Sequence, residues 1–127
     1  YFDNINIKNS ILVGDLNIAP TPDDVWDHKK LSTVVSHTPI EIEYLKKVQE
    51  SGQWIDVVRQ FHPDEKLFSW WSYRAKDWSA ADKGRRLDHL WATPDISNLV
   101  TSVVIARDVR GWEQPSDHAP IFVVFDV

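Results

Sequence analysis

The first half of the chain carries apolar residues at spacings that predict one short strand followed by helices. Residues 11–13 are apolar and precede Gly14, which is typical of a buried strand that leads into a turn. The segment from Thr38 to Glu41 has the residues of a capping box, and apolar residues then recur at helical spacing until Gly52. We therefore predict a helix between these caps. Two shorter helices are also expected, at residues 22–30 and 54–61.

The second half changes to a period of two, which is typical of strands. Alternate residues of LFSWWSYR fall on opposite faces of an extended chain, and RRLDHLWAT shows the same alternation. LVTSVVIARDV and APIFVVFDV are two further expected strands. The order of strand, helices and then mostly strands predicts an α/β (α+β) fold, with a mixed, mostly antiparallel sheet and helices on one face. The length of 127 residues fits one domain.

Composition excludes several classes of protein. The chain has no cysteine, which excludes disulfides and thiolate metal sites, and no apolar run of about 18 residues, so no membrane span is expected. Its net charge of −5 is a poor match for a general nucleic-acid binder, which is usually basic. The segment from Arg74 to Arg86 departs from this average, with five basic residues against two acidic ones. This local charge indicates either a surface that contacts phosphate or an ordinary solvated loop.

Polar side chains occur at the ends of three expected strands. Asp15 and Asn17 lie two residues apart in GDLN and would project to the same side of an extended chain. Asp88 lies in RRLDH, and Asp117 and His118 precede the last strand in PSDHAP. Hydrolysis of a phosphodiester with Mg²⁺ needs oxygen ligands, a group that orients water and donors to the phosphate, and these residue types suit those tasks. Each motif alone is more often a turn or a structural Asp–His hydrogen bond.

Five segments taken together are more specific than any one of them. GDLNIAP, VWDHKK, FSWWSYR, KGRRLDHLW and PSDHAP follow one another at natural intervals. Together they resemble the C-terminal half of exonuclease III, the abasic-site endonuclease group of the endonuclease–exonuclease–phosphatase superfamily. The resemblance extends over residues 11–125. It implies one half of a four-layer α/β sandwich, with residues 1–127 as the C-terminal half of the domain.

The resemblance implies a role for each polar residue at the strand ends. Asp15 would activate the attacking water or handle the proton of the leaving group, and Asn17 would contact the water and the scissile phosphate. His118 would contact the phosphate and act in acid–base catalysis. Asp88 would hold His118 and fix the imidazole tautomer, as carboxylates do in other hydrolytic sites. Asp117 would lie in the metal-binding region.

The resemblance also implies a surface that binds the substrate. Trp70 and Leu87 match positions that wall the pocket for a flipped-out abasic sugar, and flipping is easiest where no base has to be unstacked. Arg85 stands where relatives can carry an apolar pocket residue, and it could equally contact a phosphate. Lys83 and Arg86 are expected to be phosphate contacts as well.

The resemblance implies that parts of the active site lie outside this chain. The chain contains no methionine, and we expect it to be part of a longer polypeptide. In the family, the other half carries the glutamate that is the principal Mg²⁺ ligand and also a catalytic tyrosine. No segment here replaces that glutamate, so Mg²⁺ (or Mn²⁺) is expected to bind the isolated chain weakly or not at all. The apolar sheet face that the other half would cover is expected to cause homodimer formation or aggregation.

The sequence therefore predicts a cytoplasmic, bacterial-type DNA repair nuclease. Its expected substrates are abasic sites and 3′ ends of double-stranded DNA, and the isolated chain is expected to be inactive. One alternative is a phosphatase or a sphingomyelinase-like phosphodiesterase of the same superfamily, against which the WWSY segment and the basic loop argue. The other alternative is a catalytically dead DNA-binding or structural remnant, which salt-dependent binding of duplex DNA without cleavage would favour.

Overall fold

The computed structural model describes residues 7–74, 77–113 and 115–127, in which five strands form two sheets. The strands are β1 (Ile11–Asp15), β2 (Ile55–Asp56), β3 (Asp88–Ala92), β4 (Val100–Ile105) and β5 (Ile121–Phe125). The larger sheet has the order β1–β3–β2, and the smaller sheet pairs β4 with β5. Every strand pairing among the described residues is antiparallel.

Short helices connect the strands in this part of the chain. They are α1 (His28–Leu31), α2 (Pro39–Ser51), α3 (Val57–Phe61), α4 (Trp78–Ala81) and α5 (Pro94–Ser97), with 3₁₀ turns at Pro22–Asp24 and Arg107–Gly111. None of the described helices is both long enough and apolar enough to cross a membrane.

The main core forms where α3 packs between the two sheets. Val57 and Val58 of α3 are completely buried and contact Ala92 of β3 together with Val100 and Val103 of β4. Removing this apolar surface from water stabilises the fold by roughly 25 cal/mol for each Å² buried. The contact joins the sheets, so the end of β1, the beginning of β3 and the beginning of β5 are held in a fixed relation to one another.

The longest helix, α2, begins and ends where the sequence predicts. The Thr38 hydroxyl donates to Glu41 Oε1 at 2.7 Å, and the same oxygen accepts from the backbone N–H of Thr38 at 3.3 Å. Gly52 follows the last helical residue, and a Cβ there would clash with the indole of Trp54. The capping box and the C-terminal glycine are both confirmed.

Three predicted elements differ from the observed ones. The helix expected at residues 54–61 begins only at Val57, because Ile55–Asp56 pairs with β3 as strand β2. The turn that starts at Pro22 ends at Asp24, because Val25 is extended and bridges to Arg85; α1 then starts separately at His28. The strand predicted for residues 67–74 is not regular. Only Trp70 forms bridges there, to Arg85 on one side and to His118 on the other, because the segment turns away to bury Trp71.

One face of the strands remains open. Alternate residues of a strand point to the same side, so Ile11 and Val13 share the face of β1 from which Asp15 projects. In the smaller sheet Val104 lies opposite Phe122 in the register, and Val124 shares the face of Phe122. All five apolar side chains are between 50% and 60% exposed. The described residues therefore leave apolar strand faces uncovered in both sheets.

Candidate active site

Backbone pairing brings the polar strand ends together. Asp15 is the last residue of β1 and Asp88 the first of β3, and the two lie directly opposite each other in the antiparallel register. The bridge between Trp70 and His118 then places His118 beside them. Two carboxylates that face each other across a sheet repel, so a cation between them stabilises the arrangement. The predicted grouping of Asp15, Asp88 and His118 is therefore present.

His118 is oriented by Asp88. Its Nδ1 lies 2.7 Å from Asp88 Oδ2. An ionised carboxylate can only accept hydrogen bonds. Nδ1 therefore carries a proton and donates a hydrogen bond to Asp88. The other ring nitrogen, Nε2, lies 3.7 Å from Asp15 Oδ2 and 3.9 Å from Asp117 Oδ1, which is too long for a direct hydrogen bond. Nε2 therefore faces two carboxylates without a direct hydrogen bond to either.

The charge on His118 is stabilised by its neighbours. Partial burial by itself would lower the pKa of His118, but the hydrogen bond to Asp88 and the charges of Asp88, Asp15 and Asp117 outweigh it and raise the pKa above its usual value. The protonated imidazole is thus favoured near neutral pH more than in an isolated histidine. In this form both nitrogens are donors, and Nε2 is available to an anion.

Ser69 fixes Asp88 and was not found by the sequence analysis. Its completely buried hydroxyl donates to Asp88 Oδ2 at 2.7 Å and accepts from the backbone N–H groups of Leu87 and Asp88 at 3.0 and 3.1 Å. The backbone N–H of Ser69 also donates to the Arg85 carbonyl. The available signal was a small polar residue between bulky aromatic ones in FSWWSY.

Asn17 does not continue the strand as expected. β1 ends at Asp15, and Asn17 has a φ of 57°, in the left-handed region that asparagine tolerates better than most residues. The backbone N–H of Asn17 donates to Asp15 Oδ1 at 2.9 Å, so that the carboxylate closes a turn. The assumption of an extended chain is therefore wrong, although the exposed Asn17 side chain still lies at the end of β1 beside the site.

The described residues offer only part of a metal site. Asp15, Asp88 and His118 form a group whose ligand atoms lie within 4.8 Å of one another. Asp88 Oδ2, however, already accepts from both Ser69 and His118. Asp117, the predicted metal ligand, uses Oδ2 to accept from the Trp70 indole N–H at 3.0 Å, which leaves Oδ1 facing the centre. Since Mg²⁺ prefers six oxygen ligands, these residues fit an incomplete and weak site.

Comparison with known proteins identifies the family. The model described as the Endonuclease/Exonuclease/phosphatase family matches residues 4–118. The chain belongs to this family. It is 34% identical over 126 residues to exodeoxyribonuclease III of Haemophilus influenzae, an alignment that covers 93% of this chain and 46% of that protein. The predicted resemblance is confirmed.

Solved structures of the endonuclease/exonuclease/phosphatase family agree with the fold. An AP endonuclease from Archaeoglobus fulgidus superposes with a TM-score of 0.88 at 35% identity, covering 92% of this chain and 45% of that one. A 3′ phosphatase from Neisseria bound to product DNA hairpin gives a TM-score of 0.86 at 30% identity, with the same coverage. The predicted fold class is confirmed, and the chain spans about half the length of the relatives it matches.

The residues predicted to bind substrate fall into different environments of this endonuclease/exonuclease/phosphatase fold. Leu87 is buried, and the half-buried Trp70 packs against its apolar cluster. Lys83 is exposed, with Nζ 4.8 Å from the centre of the Trp26 ring. Arg85 is half-buried, with its guanidinium carbon 5.3 Å from the centre of the Trp70 ring. Trp70, Lys83 and Arg85 are accessible candidates for contact with substrate, whereas Leu87 is buried behind Trp70 and its contact with substrate stays a prediction.

The prediction that Arg86 contacts DNA is wrong. Its side chain is completely buried and forms ion pairs with Asp24 at 2.6 Å and with Asp56 at 2.7 Å. Arg59 also contacts Asp24. Although burial alone would lower the pKa of Arg86, Asp56 and Asp24 raise it above its usual value. The sequence shows only adjacent arginines, and the alternation of the chain turns one outward and the other into the core.

Proposed function

We propose that this chain supplies half of the active site of a DNA repair nuclease that hydrolyses phosphodiesters at abasic sites and at 3′ ends. The observation that carries the proposal is His118, whose Nδ1 is bound to Asp88 while Nε2 faces Asp15 and Asp117. The relatives named exodeoxyribonuclease III and AP endonuclease support the substrate class.

The cleft beside this group supports binding of a phosphate. It has a volume of about 520 Å³ and lies between β1, β3 and the segment that leads into β5. Asp15, Asp88 and His118 are in its wall, together with the apolar residues Leu90 and Ile121. A phosphodiester oxygen in this cleft would accept from His118 Nε2, the one ring nitrogen that Asp88 leaves free.

The proposed reaction divides proton transfer between two residues. Asp15 takes a proton from water as the water oxygen forms its bond to phosphorus, and the P–O bond to the leaving oxygen breaks. His118 gives its Nε2 proton to that leaving oxygen while Asp88 retains the Nδ1–H hydrogen bond. Asn17 orients the water and the phosphate from the turn that follows β1. Acid–base catalysis of this kind typically contributes about 10²–10⁴-fold in rate.

A divalent cation would be held by Asp117 through Oδ1, the oxygen that the Trp70 indole does not use. When bound, Mg²⁺ or Mn²⁺ neutralises charge on the phosphate. One carboxylate is too few for tight binding, so we propose that the remaining ligands are outside the described residues and that the isolated chain is inactive.

We also propose that residues 1–127 are the C-terminal half of the domain. The exposed apolar strand faces, centred on Val13 and Phe122, suit coverage by the other half of a sandwich. In the absence of the other half, a second copy of the chain would cover these faces. A sedimentation measurement that finds only monomer at every concentration would contradict the homodimer. Action in the cytoplasm of a bacterial-type cell remains a prediction.

The deciding experiment incubates the chain with an abasic-site duplex and Mg²⁺, alone and with a separately produced N-terminal half. We expect cleavage only from the combination, abolished by chelation of the metal and reduced about 10²–10⁴-fold by Asp88→Asn. Glu43→Gln on the exposed face of α2 is the control and should cleave normally. Cleavage by the chain alone would show that the metal ligands are misassigned. Salt-dependent binding without cleavage by the combination would favour the DNA-binding remnant.

A further inference from the structure

A second cleft lies beside the candidate active site and is not used in the proposed reaction. Its volume is about 490 Å³, and aromatic and basic side chains form most of its wall. The lining residues that carry the argument are Trp26, Trp70, Trp71, Trp78, Lys83 and Arg85. Aromatic faces combined with cations are the usual elements of sites for single-stranded nucleic acid, where bases stack and phosphates pair with the cations.

The tryptophans of this cleft differ in how accessible they are. Trp71 is buried and forms the floor, whereas Trp26, Trp70 and Trp78 are half-buried and keep part of each ring open. Trp26 is positioned by its backbone N–H, which donates to the Gly84 carbonyl at 3.2 Å. The cleft therefore presents indole surface from three separate segments of the chain.

Three cationic residues line the cleft: Arg85 and Lys83, which are held very differently, and the exposed Arg74. Arg85 donates to the carbonyl of Val35 at 3.0 Å and to the hydroxyl of Ser36 at 2.8 Å, so its guanidinium is fixed over Trp70. Lys83 is exposed and makes no ion pair within the described ranges 7–74, 77–113 and 115–127. Lys83 can therefore leave the face of Trp26 for a phosphate at little energetic cost. The exposed Lys30 also lies over this ring, with Nζ 5.5 Å from its centre, so full access to the ring requires that Lys30 moves as well.

Two arginines support the far wall of the cleft. The guanidinium of Arg107 lies 4.8 Å from the centre of the Trp78 ring, and that of Arg110 lies 5.3 Å from it. Arg110 also donates to the Trp71 carbonyl at 3.1 Å. Such cation–π contacts are attractive because the face of an aromatic ring is negative. They fix α4 before any ligand arrives, which reduces the entropy lost on binding.

Backbone bridges connect this cleft to the reaction centre. Val25 bridges to Arg85, Arg85 to Trp70, and Trp70 to His118, so four segments lie side by side. Arg85 is therefore two strand spacings, roughly 10 Å, from His118. Trp70 belongs to both sites, because its indole N–H also donates to Asp117. A nucleotide next to the phosphate at His118 would thus reach the aromatic cleft.

We propose that this cleft binds an unpaired nucleobase by stacking on Trp26, while Lys83 pairs with an adjoining phosphate. The proposal rests on the proposed action of the chain on DNA and extends it to the neighbouring nucleotide. The ligand class is a nucleotide with its base intact, outside a duplex. A sugar without a base would gain the contact with Lys83 but not the contact with the ring.

The test compares two oligonucleotides of equal length and charge. One is a short labelled oligothymidylate and the other an abasic tetrahydrofuran backbone, and binding to the full chain is followed by fluorescence anisotropy in EDTA. We expect the thymidylate to bind about tenfold more tightly. Trp26→Leu should remove this difference without weakening the abasic oligomer. Trp112→Leu, at an exposed tryptophan outside the cleft lining, is the control and should change neither affinity.

Two further variants keep the test decisive. Trp26→Phe retains a ring and should restore most of the preference for thymidylate, which answers the objection that Trp26→Leu disturbs the fold. Lys83→Ala should weaken both oligomers alike and reduce the salt dependence of binding by about 0.7 in slope. Equal affinities for the two oligomers, no binding of either, or an unchanged preference in Trp26→Leu would each overturn the proposal.

The proposed function can fail independently of this proposal. Cleavage of the abasic duplex together with equal oligomer affinities would retain the nuclease and reject the nucleobase site. A base-dependent affinity without any cleavage would retain the nucleobase site and reject the nuclease.

Discussion

Arg86 and Asp88 are separated by one residue, yet each belongs to a different ionic cluster. Around Arg86, Asp24 and Asp56 hold a cation that is completely buried. Around His118, Asp88 and Asp15 hold a cation whose side chain is 30% exposed. Both clusters place a positive group between two carboxylates, but only the second leaves a ring nitrogen facing open space.

The difference shows that the same arrangement, a positive group between two carboxylates, can either stabilise the fold or form an accessible site. The guanidinium of Arg86 is permanently charged and uses its fork to bind both carboxylates, so nothing in that cluster can bind another molecule. His118 can gain or lose a proton, and its neighbours leave Nε2 without a direct hydrogen bond. The buried cluster holds the residues before β3 in place, and the open cluster at the first residue of β3 is suited to chemistry.

The largest expected effect is that of Arg86→Leu. This change removes the larger of the two positive charges that, against the effect of burial, lower the pKa of Asp24, so that Arg59 alone remains beside this buried carboxylate. We expect the free energy of unfolding to fall by about 3–5 kcal/mol. Urea denaturation followed by circular dichroism measures the change. Lys47→Leu, which breaks the exposed pair with Glu43, should lower the free energy of unfolding by less than about 0.5 kcal/mol. Equal effects would mean that the buried cluster has no special role.

Ser69→Ala should have an intermediate effect. It removes the acceptor of two buried N–H groups and one donor to Asp88, which costs about 1–3 kcal/mol of unfolding free energy. Ser102→Ala in β4 is the matched control, because the Ser102 hydroxyl makes no hydrogen bond among the described residues. If both variants unfold at the same urea concentration, Ser69 does not position Asp88 as the distances indicate.

Asp15→Asn should have the smallest effect on stability and a clear effect on His118. Exposed ion pairs contribute about 0–1 kcal/mol, so the unfolding free energy should barely change. Removing one negative charge should lower the pKa of His118 from its raised value. NMR titration of the imidazole in EDTA measures this, with Glu43→Gln as the control. An unchanged or higher titration midpoint for His118 would contradict the inference that the charge of Asp15 raises its pKa.

The sign of the pH dependence follows from the raised pKa. A histidine whose pKa is raised by folding contributes stability that is fully present below its unfolded pKa of about 6.5. That contribution disappears as the pH rises through the folded pKa. The stability difference between the original chain and Asp88→Asn should therefore be larger at pH 5 than at pH 9.

The fold was largely predictable because its signals are local. The capping box at Thr38 and the apolar run before Gly14 depend on neighbouring residues, and both gave the observed elements. The segment around Trp70 misled because alternation in the sequence does not ensure a regular strand, and here Phe68, Ser69 and Trp71 are all buried. The conformation of this segment is determined by its tertiary contacts with Arg85 and His118.

The candidate site was predictable in its residue types but not in its supporting contacts. Asp15, Asp88 and His118 were recognised from motifs. The register of β1 with β3 brings the two aspartates together, and the bridge from Trp70 places His118 beside them. Ser69 and the burial of Arg86 were missed, because both depend on groups far away in the chain. The sequence therefore indicated the polar residues of the candidate site and the contact of Asp88 with His118, but not the hydroxyl of Ser69 that holds Asp88.

The left-handed backbone at Asn17 gives an unusually clean way to delete a side chain. Alanine at this position would have two effects at once, because at a φ of 57° it adds backbone strain and it also removes the carboxamide. Glycine adopts this conformation without strain. Asn17→Gly would keep the turn and the N–H bond to Asp15 while removing only the amide, so any change in rate could be assigned to that group.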